Sequence, residues 1–385
     1  MIIKALGIPF LTLALAGCAL APPAADPRRY AADELFAPPS QPVDASRVFA
    51  VSDAMRAYIG DRIESLQGSR SRQRALVDAL RAKDELKLEY DAAYTRNAAE
   101  AFDARTGNCL SLVIMTAAFA RQMGVESRFR VVNVEETWSR RGDIYFSIGH
   151  VNITLGRRVG AMTARFDDSE TFTVDFLPPP NGPYARWQSI EEGTIVAMYM
   201  NNRAAENFAD GRLDDAYWFA REAILQDPRF VAAYNTLGVI YQRRGHHARA
   251  ADVLAFALER EPRNTSVMSN LANAYASLGR AGEAAALRER LARLDPEPAF
   301  SWFNQGVAAM RRGDFRAARD LFEKEVDRAP DYHEFHFWLA LALANLGEND
   351  EARRHLALAR DSALTREDHD LYAAKLRRIK SAGVH

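Results

Sequence analysis

Prolines stand at positions 228, 262, 296 and 330, each 34 residues after the last. Gly211, Gly245, Gly279, Gly313 and Gly347 keep the same step, as do Ala216, Ala250, Ala284, Ala318 and Ala352. A fixed period of this length marks a small unit that repeats and stacks, because one unit alone cannot bury its apolar face. The small residues let helices approach closely. Each proline ends a helix, since it lacks the N–H that the backbone ladder needs. The period therefore predicts five pairs of antiparallel helices over residues 196–362. Residues 363–385, with Leu371, Leu376 and Ile379, predict a polar-backed capping helix.

Tyr234, Leu237-Gly238 and Tyr241, and later Trp302 and Gly306, fall where a tetratricopeptide repeat places the large and small residues of its first helix. This half of the chain resembles that family, which implies an all-α superhelix with a concave face that takes a peptide or protein ligand. The resemblance assigns Asn235, Gln242, Arg243, Asn273, Phe300, Phe303, Arg311 and Arg312 to that face. They would supply aromatic anchors and Arg forks for carboxylates; the same residues would also suit a solvated face, or one packed on another domain. Arg288 and Glu325 replace usually apolar or small residues, which predicts imperfect packing in repeats three and four.

The N-terminus carries one charge, Lys4, then an apolar run from Ala5 to Leu15, too short to span a bilayer. It closes in Leu15-Ala16-Gly17-Cys18, which resembles a bacterial lipoprotein signal over residues 1–17. The resemblance implies an acylated Cys18 and a lipid anchor in the cell envelope. Ala19 after the cysteine resembles sorting to an outer membrane, with the chain facing the periplasm. Residues 18–45, rich in Pro, Ala and Asp, read as an extended tether. The net charge of -1 offers no basic field for nucleic acid.

Residues 46–195 change character twice. Up to about 104 the apolar spacing is helical, and Leu110 to Met123 is apolar nearly all round. The second stretch predicts a buried central helix, capped by Asn108 and stopped by Gly124, with Cys109 in its first turn. Free N–H groups and the dipole there favour a thiolate. The period then falls to 2 over Ser127–Val134, Tyr145–Leu155 and Thr171–Leu177, predicting three strands. His150 lies in the second and Asp175 in the third. His150 is the first histidine of the chain, and the next is His246.

Gly107-Asn108-Cys109-Leu110-Ser111 and Ala117-Ala118-Phe119-Ala120-Arg121, with the later His150 and Val174-Asp175-Phe176, resemble the nucleophile helix and following motifs of the transglutaminase-like superfamily. The resemblance implies an α+β, papain-like domain ahead of the repeat superhelix. The chemistry also follows from the residue types. An imidazole activates a thiol, and a carboxylate orients the imidazole. Cys109 would attack an amide or ester carbonyl, His150 would shuttle the proton and Asp175 would hold His150, with Asp167 and Asp168 close in sequence. The Cys109 N–H would be one oxyanion donor; Tyr94, Asn97 and Asn108 are candidates for a second. One Cys and one His make no zinc constellation, and no glycine-rich phosphate loop is present, so neither metal nor cofactor is expected. The resulting expectation is an envelope-anchored cysteine hydrolase or transamidase, its substrate positioned by the repeats. A non-enzymatic scaffold with a degenerate cysteine domain is the alternative. Replacing Cys18 by Ser should release a folded, soluble protein on cell fractionation; continued membrane association would contradict the anchor.

Overall fold

The structure, a computed structural model, describes residues 26–67, 71–81, 86–141, 144–156, 158–159, 165–166, 171–176 and 187–382. The apolar leader and Cys18 lie outside the described residues, as do Asp167 and Asp168.

The N-terminal domain is built around one helix. Asp53–Tyr58 (α1), a single π turn at Ile59–Ile63 and Glu64–Gln67 (α2) precede Arg72–Arg81 (α3). The two-residue strand Glu89–Tyr90 (β1) pairs in parallel with Thr106–Gly107 (β2), and Ala98–Ala104 (α4) lies between them. Then comes Cys109–Gln122 (α5), in which every side chain from Cys109 to Ala120 is buried. Asn108 caps it, its side-chain oxygen accepting from the Ser111 N–H at 2.9 Å. Gly124, at φ +66°, turns the chain out of the helix through a left-handed conformation that a β-carbon disfavours.

Glu126–Arg141 (β3) and Ile144–Gly156 (β4) form a long antiparallel hairpin, followed by the short pair Arg158–Val159 (β5) and Arg165–Phe166 (β6). Phe172–Val174 (β7) adds to β4, and Trp187–Ile190 (β8) adds to the other side of β3. The sheet order is β7-β4-β3-β8, antiparallel throughout, and α5 packs on it from one side and on α3, α4 and the first repeat helix from the others. Strand β8 is a fourth strand beyond the three expected. Its Trp187-Gln188-Ser189-Ile190 sequence carries no alternation to announce it.

Five helix pairs follow: Glu192–Ala209 with Leu213–Gln226 (α6, α7), Val231–Arg243 with His247–Arg260 (α8, α9), and Thr265–Ser277 with Ala281–Leu294 (α10, α11). Ser301–Arg311 with Phe315–Arg328 (α12, α13) and His333–Asn345 with Asn349–Asp361 (α14, α15) complete them, and Arg366–Ala382 (α16) packs on α15. The reason for the small residues is visible at Gly238 and Gly306. A β-carbon there would sit 2.5 Å from Leu254 Cγ and 2.6 Å from Phe322 Cε1 respectively. Glu325 is fully buried yet satisfied: it accepts from the Phe303 N–H at 3.1 Å and pairs with Arg328. The substitution expected to loosen repeat four instead caps the start of α12.

The described residues fold around two apolar cores. One runs unbroken from Tyr30 through α5 and the sheet into α6–α10, so the N-terminal domain and the first repeats are one packed body. The second gathers Phe300, Phe303, Phe322, Phe335 and Leu339 in the last two repeats, with Leu376 of α16. Residues 26–45 correct the expected tether: they lie folded against the repeats. Phe36 stacks on Tyr217 with ring centroids 4.0 Å apart. The Tyr217 hydroxyl accepts from the Ala32 N–H at 2.7 Å, and the Tyr241 hydroxyl donates to the Tyr30 carbonyl at 2.6 Å. A proline- and alanine-rich composition resembles that of a linker, but Tyr30, Ala32 and Phe36 are buried, and Ser40 and Gln41 hydrogen-bond Asp215 and Asn207.

Candidate functional site

Cys109 opens α5 and is 5% exposed. Its position is tightly set from behind. Gly107 sits where a β-carbon would lie 2.7 Å from Ser111 Cβ, so the chain turns into the helix only with glycine there. The loop after β1 fixes the same turn from the other side. Thr95, fully buried, accepts through its hydroxyl from Asn108 Nδ2 at 2.9 Å and from Asn202 Nδ2 of α6 at 3.2 Å. One threonine thus ties the cap of the cysteine helix to the first repeat.

His150 enters from β4, opposite Val132 of β3. Asp175 immediately follows β7, whose Val174 pairs with Ile153. His150 Nε2 lies 3.0 Å from both Asp175 carboxylate oxygens, and Asn152 Nδ2 donates to the same carboxylate at 3.3 Å. His150 also hydrogen-bonds the Cys109 side chain. With Nε2 turned to Asp175, the other ring nitrogen is left for the sulfur. Burial alone would push the imidazole down, but hydrogen bonds to Asp175 and Cys109 and their negative charge outweigh it and raise His150 to about 9. An imidazolium at neutral pH is the partner that an anionic sulfur requires. The structure therefore brings Cys109, His150 and Asp175 into one hydrogen-bonded run.

Of the three candidates for a second oxyanion donor, Asn108 already donates its Nδ2 to Thr95, and Asn97 caps α4 away from the channel lining. Tyr94 is exposed. The residue that sequence reasoning missed is Tyr90. Its hydroxyl takes a hydrogen bond from the Cys109 N–H, and burial together with the charge of Cys109 pushes its pKa upward, so it stays neutral. It sits in a two-residue strand, too short for any periodicity to signal.

Cys109 and Tyr90 form part of the wall of a channel of about 2310 Å³ that continues along the inner face of the repeats. Asn235, Gln242, Arg243, Asn273 and Phe300 all line it. Three of the expected groove residues, Phe303, Arg311 and Arg312, do not line it. Phe303 is fully buried between Phe322 and Phe335, and Phe300 is 2% exposed, so both serve the second core and neither is an open anchor. Arg311 and Arg312 lie at the exposed end of α12 and do not line the channel. The inner face also carries amides among its charged residues: Asn270 Nδ2 donates to Asn235 Oδ1 at 2.9 Å, and Gln242 Nε2 donates to the Asn270 carbonyl at 2.6 Å. Among the described residues no three His, Cys, Asp or Glu side chains gather as metal ligands, and no helix is long and apolar enough to cross a membrane.

Comparison with known proteins bears on the repeats. The tetratricopeptide repeat family matches residues 235–297 and 303–364. The C-terminal half is a tetratricopeptide-repeat superhelix. Protein O-mannosyl-transferase TMTC1 of Mus musculus is 25% identical over 155 residues, 39% of this chain and 16% of its own length. The heat shock protein sti1 homolog of Schizosaccharomyces pombe is 32% identical over 139 residues, 34% of this chain and 22% of its own length. The chain thus spans less than a quarter of either curated relative. Among solved structures, YrrB, described as a TPR protein with an unusual peptide-binding site, is 20% identical with a TM-score of 0.26, covering 46% of this chain and 92% of that one. A thermophilic TPR protein of Thermus thermophilus is 22% identical with a TM-score of 0.31, covering 47% and 98%. Tetratricopeptide repeats serve as platforms for protein partners, and this superhelix presents its inner face to the cysteine.

A raised imidazole pKa stabilises the fold below the unfolded value of about 6.5, and that contribution is lost as pH rises through about 9. His150→Gln should therefore cost about 1–3 kcal/mol at pH 6 and markedly less at pH 10, measured by chemical denaturation. A cost that does not change with pH would show that His150 is held neutral.

Proposed function

We propose that the chain captures an extended protein or peptide segment in the groove of its repeats and presents an amide of that segment to Cys109. The observation that carries this reading is the continuity of the groove with the Cys109–His150–Asp175 run. The similarity of residues 107–121 to the nucleophile helix of the transglutaminase-like superfamily supports it. Cys109 Sγ attacks the carbonyl carbon while its proton rests on His150. The imidazolium then gives that proton to the leaving nitrogen, and the amide C–N bond breaks to leave a thioester. Water releases an acid, or an amine releases a new amide. Asp175 holds the imidazole, and the Cys109 N–H faces the developing oxyanion once the Tyr90 hydroxyl yields that position. A lipid anchor at Cys18 would place this activity at a bacterial envelope surface, facing the periplasm.

A second reading has its own support. The family match is confined to the repeats, and Tyr90 already occupies the Cys109 N–H. Both favour a protein-binding scaffold whose cysteine domain does no chemistry. Cysteine reactivity separates the two. In the full chain carrying Cys18→Ser, Cys109 is the single thiol. Its alkylation should persist well below the free-thiol pKa of about 8.5 and fall at least tenfold at pH 6 in the added presence of His150→Ala. Alkylation that follows an ordinary thiol titration, unaffected by His150, would favour the scaffold.

A further inference from the structure

The two apolar cores divide the molecule into two blocks, and the joint between them is unlike every other step of the array. Successive helices pack closely from α6 to α11 and again from α12 to α16, but α11 and α12 scarcely touch. Helix α11 buries only Ala284, and Arg288 on it is exposed. The connection is Asp295-Pro296-Glu297-Pro298-Ala299-Phe300, ending on Phe300 in the left-handed conformation at φ +63°, a strained state for a bulky side chain. Arg328 of the second block reaches back to the Glu297 and Pro298 carbonyls, at 3.0 and 3.4 Å. A joint without shared apolar packing, held by a short segment, is where a stacked array turns most cheaply.

The blocks meet again at a second point, between the N-terminal domain and the end of the last repeat. The Ala92 N–H, on the loop that follows β1, donates to the Leu364 carbonyl at 2.9 Å. Leu364 lies in the connection between α15 and α16. Both residues border the channel, so this bond closes its side. The loop that closes it is also the loop whose Thr95 fixes the cap of the cysteine helix. Between joint and latch, the channel wall presents Asn202, Asn235, Gln242, Asn270 and Asn273, interspersed with charged side chains such as Glu206, Arg229 and Arg243. Each carboxamide offers a donor and an acceptor, which suits the alternating N–H and C=O groups of an extended main chain.

We infer that the repeat array is a clamp, opening at the 295–300 joint and closing at Ala92–Leu364 over an internal segment of extended polypeptide. The inference rests on the polypeptide-binding half of the function proposed above and is independent of the chemistry at Cys109. A segment with folded domains on both sides cannot thread a closed channel. It enters only when the latch parts, whereas a short free peptide enters from an end.

The latch can be locked covalently. The test protein is the full chain with Cys18→Ser, Cys109→Ala, Ala92→Cys and Leu364→Cys, compared in its oxidised and reduced forms. Two fluorescent probes carry one unstructured segment of mixed sequence, free in one probe and flanked at both ends by folded domains in the other. Reduced protein should bind both. Oxidised protein should keep the free peptide within about twofold and lose the flanked segment by at least tenfold, with recovery on reduction. Equal binding of the flanked segment by both forms overturns the clamp while leaving peptide binding intact. Failure of the disulfide to form overturns the latch. If reduced protein binds neither probe, the polypeptide-binding reading fails, and the clamp fails with it.

Discussion

The larger of the two cores is arranged to cover one helix. A segment that buries all its side chains from Cys109 to Ala120 has no face left for water, so other elements must enclose it completely. The sheet takes one side, α3 and α4 take others, and α6 of the first repeat closes the remainder. This demand explains why the repeats are packed on the N-terminal domain as a continuation of its core. It also explains the site. Only the first turn of such a helix can reach a surface, and Cys109 stands there, at the end where unpaired N–H groups concentrate.

The same covering sets the chemistry. His150 sits on β4 and Asp175 directly after the adjacent β7, in the sheet that packs on α5, so the register of that pairing brings them together. Burial would ordinarily strip the imidazole of its proton, and the carboxylate on one side and the sulfur on the other reverse that tendency. Because α6 both covers α5 and begins the superhelix, the cysteine faces directly into the groove of the repeats. Fold and site share one cause.

Much of this was legible in the chain. The 34-residue step, with small residues at Gly238 and Gly306, reads directly because close helix packing tolerates nothing larger there. Cys109, His150 and Asp175 stood out through local patterns that the structure brings together. What escaped reading depends on partners distant in sequence. Tyr30, Ala32 and Phe36 dock on helices far along the chain, at Tyr217, Tyr234 and Tyr241, which no local composition announces. The family resemblance puts Phe300 and Phe303 on the groove face, but both pack into the aromatic core of repeat four, and only Phe300 also borders the channel. Tyr90 meets Cys109 through a two-residue strand, and neither residue type nor spacing points to it.

If groove and cysteine serve one function, a single ligand must occupy the groove and reach the thiol. The most direct measurement uses a peptide of about ten residues, long enough when extended to span roughly 30 Å, carrying a thiol-reactive electrophile at its carboxyl end. It is added to full-length protein with a photoreactive phenylalanine analogue in place of Gln242, and the adducts are read by mass spectrometry after illumination. Single peptides joined both to Cys109 and to position 242 are expected, with the double adduct abolished by Cys109→Ala. Peptides bound at Cys109 that never cross-link to the repeats, or cross-links to the repeats with Cys109 unmodified, would contradict a single function.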